Sequence, residues 1–175
     1  RKILYTLLII VAIFLTYAAY VVNNPVSPLE TVTLNDDSDV SITYSRPFKN
    51  DRLIFGNNSD EAVVPYDVYW RTGANFCTDF YTSSEILFNG NKLDSGKYFL
   101  YTFPNENSWD IILNSDHGRF GFFNPDREND VLITSVTPIS IDEDFEQFKI
   151  DFEKIDANIF LRLRWEKTSV SIPIN

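Results

Sequence analysis

Residues 86–93 read Ile-Leu-Phe-Asn-Gly-Asn-Lys-Leu, and this stretch indicates an antiparallel β fold. Its central segment, Asn89-Gly90-Asn91-Lys92, has the chemistry of a tight hairpin turn, because Asn and Gly tolerate the positive φ angles that such turns need. Apolar residues on both sides supply the two strands. The stretch therefore predicts a β-hairpin near the middle of the chain.

Strand patterns continue outward from this hairpin in both directions. Apolar and polar residues alternate, or β-branched and aromatic residues cluster, and loops rich in Asn, Asp, Gly and Pro separate the segments. The sequence predicts an all-β domain of about ten strands, an antiparallel β-sandwich or jelly-roll. Pro173 predicts that the last strand lies at a sheet edge. Further strands are predicted at Val40–Tyr44, Lys97–Phe103, Trp109–Leu113, Val131–Val136, Phe148–Phe152, Ile159–Trp165 and Val170–Ile174.

The first 25 residues have a different character. Residues 3–22 (ILYTLLIIVAIFLTYAAYVV) contain no charged side chain, and twenty helical residues span roughly 30 Å, the thickness of a bilayer core. We predict a single transmembrane signal-anchor helix in residues 1–25 and an exported domain in residues 26–175. The alternative, a cleaved signal peptide, has a shorter apolar region and a clearer cleavage site. Arg1 and Lys2 predict a cytoplasmic N-terminus in the bacterial inner membrane and a periplasmic domain.

Three small residues share one face of this predicted helix. Ala12, Thr16 and Ala19 follow the spacing i, i+4, i+7. Small faces allow helices to approach closely inside lipid, so these residues are candidates for packing against a partner helix. The alternative is that they reflect only the ordinary composition of such helices.

The charge of the domain excludes one class of partner. All 25 acidic residues lie in residues 26–175, against 13 basic residues once Arg1 and Lys2 are subtracted from 15, which gives a net charge of −12. Such a surface repels phosphate backbones, so we predict no nucleic-acid partner. The single cysteine, Cys77, allows no internal disulfide and is expected to pack as a small apolar residue.

The search for catalytic chemistry is mostly negative. Cys77 and the single histidine, His117, are one conceivable nucleophilic pair, against a simpler interpretation as a core thiol and a loop imidazole. No spacing selects a pair of carboxylates. Oxygen ligands alternate in two loops, but each lacks the glycine and the final acid of a calcium loop, so we predict no metal, no cofactor and no catalytic residue. The two loops contain Asn35, Asp37 and Asp39, and Asn124, Asp126, Glu128 and Asp130.

One run, Trp70-Arg71-Thr72-Gly73-Ala74-Asn75, departs from strand alternation, and it carries a resemblance. Together with four supporting segments it resembles the bacterial domain-of-unknown-function family numbered 2911, over nearly all of residues 27–175. The resemblance implies an exported domain of Gram-negative bacteria and implies no activity. Members often have Glu after the Asn, where this chain has Phe76. The supporting segments are Tyr44–Pro47, Ile54–Gly56, Gly96–Tyr98 and Trp109–Asn114.

The same run suggests a ligand site. Arg46 and Arg71 are candidates to bind carboxylates or loop carbonyls, and Tyr69, Trp70, Arg71 and Asn75 are candidates to line a pocket for a small polar or sugar-like ligand. The alternative is that these groups only fasten loops to the sandwich.

Three functions remain open from the sequence. The first is a non-catalytic accessory or scaffolding subunit, bound to a membrane protein complex through helix 3–22 and through the surface of the β-domain. The second is a module that binds a small ligand or a carbohydrate at residues 70–75. The third is an envelope hydrolase.

Overall fold

A computed structural model of the chain describes residues 2–24, 26–34 and 39–175, apart from the side chains of residues 3, 4 and 21–23. Within these ranges it contains one α-helix, twelve strands and two short 3-10 helices at Asn58–Asp60 and Arg127–Asn129. The elements are α1 (Lys2–Asn23), β1 (Leu29–Leu34), β2 (Val40–Ser45), β3 (Phe55–Gly56), β4 (Val64–Pro65), β5 (Thr78–Thr82), β6 (Ile86–Phe88), β7 (Asn91–Leu93), β8 (Gly96–Phe103), β9 (Trp109–Asn114), β10 (Asp130–Val136), β11 (Ile139–Ile155) and β12 (Asn158–Ile174).

Helix α1 covers the apolar segment and ends at a polar cap. The segment has no Gly or Pro to interrupt the helix, and the main-chain N–H and the side-chain amide of Asn24 both donate to the carbonyl of Tyr20 (2.9 and 3.0 Å). Within the part of the chain that the structure describes, no helix combines the length and the apolar character needed to cross a bilayer. The predicted membrane-spanning helix is therefore not supported.

Two antiparallel sheets build the domain that follows. The six-stranded sheet has the order β1-β2-β5-β8-β9-β10, and the four-stranded sheet has the order β11-β12-β6-β7. A short parallel pair, β3 and β4, lies outside both sheets. The prediction of a mostly β, antiparallel domain is confirmed.

The two sheets share one core, which is rich in aromatic residues. Val40, Ile42 and Tyr44 of β2 are completely buried, as their alternation predicts. Between the sheets, Trp70 stacks on Trp165 with ring centroids 5.9 Å apart. Burial of these large side chains supplies most of the driving force for closing the two layers.

The hairpin predicted at residues 86–93 is present. β6 and β7 pair in antiparallel register, and the two residues between them, Asn89 and Gly90, have φ angles of 48° and 74°. Two consecutive positive φ angles are the signature of the type I′ turn, which matches the twist of the flanking strands. The local sequence alone therefore fixes this turn.

The prediction for the last strand is wrong. β12 lies inside the four-stranded sheet, between β11 and β6, and not at an edge. Pro173 is tolerated because β6 ends at Phe88, so the N–H that Pro173 lacks would face the Asn89 turn and not a strand. The two segments predicted at Ile159–Trp165 and Val170–Ile174 form one continuous strand, bent at Glu166, whose φ is 52°.

Candidate functional site

The run Trp70–Asn75 forms a large bulge beside β8. Trp70 pairs with Thr102 of β8, and the next pair along is Thr78 with Leu100. Between these two pairs, β8 contributes only residue Tyr101, whereas the opposite segment of the same chain contributes all of residues 71–77. The excess chain must leave the sheet, and it forms a loop at one end of the domain.

Hydrogen bonds of the run itself hold this bulge closed. The Trp70 indole donates to the carbonyl of Gly73 (3.2 Å), and the Thr78 hydroxyl donates to the carbonyl of Thr72 (2.6 Å). Gly73 has a φ of 151°, and a Cβ there would lie 2.9 Å from the carbonyl oxygen of Ser45. Only glycine can approach the Ser45 carbonyl this closely, so Thr72 and Gly73 are needed for the structure of the bulge.

The five predicted ligand-site residues separate onto different surfaces. Trp70, Arg71 and Asn75 line one cavity at the bulge. Arg46 lies elsewhere, with its Nε 3.2 Å from a carboxylate oxygen of Glu30 and 3.3 Å from the carbonyl of Phe148. Arg46 thus binds a carboxylate and a carbonyl, as we expected, but it does not join the bulge.

Tyr69 does not lie with Trp70 at the bulge either, because neighbouring residues of an extended chain point to opposite faces. Its ring packs against Tyr101 on the outer face of the six-stranded sheet, with centroids 5.6 Å apart, and its hydroxyl donates to the carbonyl of Gly121 (3.3 Å). Burial raises the pKa of Tyr69 to about 12. Tyr69 therefore belongs to a second apolar cluster.

The cavity at the bulge, which we call the bulge cavity, has a volume of about 340 Å³. Its size falls within the range of small-molecule sites. Sequence reasoning missed Arg52, which comes from the loop before β3 and has no local motif. The bulge cavity is lined by Val26, Ser27, Pro47, Arg52, Val63, Val64, Trp70, Arg71, Gly73, Ala74, Asn75 and Trp165.

Cys77 lies in the second apolar cluster, with Phe99, Tyr101 and Ile112. The thiol is buried, and this burial raises its pKa to about 11. A thiol with that pKa stays protonated at neutral pH and is a weak nucleophile. The geometry thus favours the interpretation of Cys77 as a packing residue over a nucleophilic pair with His117.

Two acids of the second loop weighed for calcium have structural roles. Asp126 caps the second 3-10 helix by accepting from the N–H of Glu128 (3.1 Å), and Asp130 accepts from the hydroxyl of Tyr101 (2.7 Å). Asn35 and Asp37 lie outside the described residues. Over the described ranges, no group of three or more His, Cys, Asp or Glu side chains is arranged to hold a metal ion.

Helix α1 carries a shallow and largely open groove. The groove lies over Ala12 and Thr16, between larger apolar side chains. The Thr16 hydroxyl donates to the carbonyl of Ala12 (2.8 Å), so its polar atom is satisfied within the helix. The walls of the groove are Ile9, Ile13, Tyr17 and Tyr20.

Fold and surfaces together define a mostly antiparallel β-domain with an apolar N-terminal helix. The model of one protein family, described as "Protein of unknown function (DUF2911)", matches residues 27–174, and the chain belongs to this family. No curated protein matches the chain, and neither does any solved structure. The resemblance inferred from the Trp70–Asn75 run is confirmed.

Proposed function

We propose that this chain is a non-catalytic accessory subunit of a larger inner-membrane protein complex, attached to that complex through α1. The β-domain then lies in the periplasm of a Gram-negative bacterium. The observation that carries the proposal is the exposure of α1, in which every side chain from Tyr5 to Tyr17 is exposed. A helix so apolar all round needs an apolar environment, in lipid or against a protein partner.

The groove along α1 favours a protein partner. Lipid tails fill irregular surfaces without selecting them, whereas a row of small residues between large ones matches the side chains of a second helix. Ala12 and Thr16 are the small residues that line the groove, and Ala19 lies one turn further along the same face. We therefore expect the partner helix to contact this face.

The test is a set of matched substitutions in the intact chain. The variant Ala12→Leu, Thr16→Leu, Ala19→Leu fills the groove, and it should lose a stoichiometric membrane partner during purification in mild detergent. The control Val11→Phe, Ala18→Leu adds bulk on the opposite face of the helix and should keep the partner.

Mass spectrometry of the co-purified proteins gives the result. Loss of the partner in both variants would show that any bulk on α1 disrupts binding, and it would refute the groove as the contact. Retention of the partner in both variants would move the binding surface to the β-domain.

A second candidate function is a ligand-binding module, and one observation favours it. Trp70, Arg71 and Asn75 line an open cavity of about 340 Å³, where a closed and packed loop would have excluded a ligand. The two functions are compatible, because the bulge cavity and α1 are different surfaces. The hypothesis of an envelope hydrolase has no comparable support among the described residues.

A further inference from the structure

Two arginines of the β-domain differ from the rest in their partners. Arg52 and Arg71 form no ion pair with a described carboxylate, although the chain has 25 acidic residues against 15 basic ones. The other arginines from residue 46 onward all form ion pairs: Arg46 with Glu30, Arg119 with Asp116, Arg127 with Asp130, Arg162 with Glu153 and Arg164 with Asp151.

Main-chain carbonyls hold these two guanidinium groups in place. Arg52 donates from Nε to the carbonyl of Lys49 (2.9 Å) and from Nη2 to the carbonyl of Phe48 (2.7 Å). Arg71 donates from Nη1 to the carbonyl of Asn75 (3.3 Å). A guanidinium has five N–H donors, so both groups keep donors for another acceptor while their positive charge stays unneutralised by these contacts.

Both arginines line the bulge cavity. The aliphatic part of Arg71 is fixed by close packing on Gly121, where an added Cβ would lie 2.9 Å from its Cδ. Fixed guanidinium groups lose little entropy when they bind an oxyanion, and their planar fork matches a carboxylate. The cavity is thus prepared for negative charge in a domain that is otherwise strongly acidic.

The other lining residues determine which uncharged group of a ligand the cavity can accommodate. Trp70 and Trp165 border the cavity but are buried in the core, where their rings stack on each other (interplanar angle 21°), whereas Val26 and Val63 are exposed apolar residues of the lining. The Nε1 of Trp165 is buried and has no hydrogen-bond partner among the described residues. The lining therefore suits a molecule with an anionic end and a compact apolar body.

We propose that the bulge cavity binds a small organic carboxylate, with its charged end at Arg52 and Arg71 and its apolar body against Val26 and Val63. The proposal rests on the second candidate function and names its ligand class. It does not depend on the attachment of α1 to a partner.

The experiment uses the full chain in mild detergent and two probes of the same shape. Cyclohexanecarboxylate carries the charge, and cyclohexanecarboxamide is its neutral counterpart; neither absorbs where tryptophan fluoresces. Because Trp70 and Trp165 line the cavity, tryptophan fluorescence reports binding. We expect saturable binding of the carboxylate, with at least tenfold weaker binding of the amide.

Substitutions then test which arginines bind the carboxylate group. Arg52→Gln and Arg71→Gln should each weaken carboxylate binding by at least about tenfold, since each substitution removes a charge-assisted hydrogen bond to the carboxylate. The control Arg127→Gln removes an exposed arginine that lines a different cavity, and it should leave binding unchanged. The conservative variant Arg71→Lys keeps the charge and should lose less affinity than Arg71→Gln.

Three results would overturn the proposal, and they differ in meaning. No saturable binding of either probe would remove the second candidate function as well. Equal binding of the amide and the carboxylate would leave a ligand site but refute its selection of anions. Binding of inorganic phosphate in preference to the carboxylate would assign the two arginines to a phosphate group.

Discussion

At the scale of single residues, some members of the run Trp70–Asn75 stabilise the bulge and others line the bulge cavity. Thr72 and Gly73 close the bulge through hydrogen bonds and close packing, while Arg71 and Asn75 face the bulge cavity. Because part of the run serves the structure, its presence alone does not identify a ligand site.

Gly73→Ala tests the structural half. The added Cβ would meet the carbonyl oxygen of Ser45 at 2.9 Å, and a φ of 151° is itself unfavourable for alanine. We expect a loss of about 3 kcal/mol in the free energy of unfolding, measured by urea denaturation. The control is Gly118→Ala, also at positive φ but in open space, which should cost only about 1 kcal/mol. Equal losses would contradict the steric account.

Cys77 gives the stability a dependence on pH. Its pKa in the folded state is about 11, whereas a thiol in an unfolded chain titrates near about 8.5. Between these values the folded state binds more protons, so stability is complete below about pH 8.5 and falls as pH rises towards 11. Urea unfolding should show the advantage of the wild type over Cys77→Ala shrinking by about 2 kcal/mol between pH 8 and 10. A constant difference would contradict the raised pKa.

The sequence predicts the lining of the bulge cavity only for residues that are close together in the chain. Asn75, Trp70 and Arg71 are adjacent in the sequence, and the structure keeps all three at one cavity. Arg52 lines the same cavity from another loop, and no pattern in the sequence predicts this contribution. Tyr69 was grouped with its neighbours, but the alternation of an extended chain sends its ring to the opposite face.

At the scale of elements, the β6–β7 hairpin links the two sheets. Asn89 combines the positive φ of the turn with a side-chain amide that donates to the hydroxyl of Thr134 (2.7 Å) and the carbonyl of Ser135 (3.2 Å) on β10. The turn thus holds the edge strand of the six-stranded sheet against the four-stranded sheet.

Asn89→Gly separates these two tasks. Glycine keeps the turn conformation but removes the amide, so we expect a loss of about 1 kcal/mol in the free energy of unfolding. A double-mutant cycle with Thr134→Val should give a coupling energy of about 0.5 kcal/mol or more. Strictly additive losses would show that the contact between the sheets does not contribute.

The elements illustrate which parts of the fold the sequence determines locally. The Asn-Gly turn and the alternation of β2 depend on near neighbours, and both are found as predicted. The position of β12 depends on which strand pairs beside it, and Pro173 gave the wrong answer because it lies opposite a turn. Pairing partners arise from tertiary packing, which a single strand's pattern does not encode.

At the scale of the whole molecule, two parts of opposite character are joined. The β-domain carries all the acidic residues and buries a large apolar core between its sheets, whereas α1 exposes an apolar surface on which Lys2 is the one charged residue. A core shared by two sheets does not need α1 for its burial. The exposed helix is therefore best explained by a surface outside this chain.

The most direct measurement compares the intact chain with a version that lacks residues 1–25, each purified in mild detergent, with quantification of co-purified proteins by mass spectrometry. The account predicts a stoichiometric partner from the membrane fraction with the intact chain and none with the shortened one. The same partner with both forms, or no partner with either, would contradict the central claim that α1 attaches this subunit to its complex.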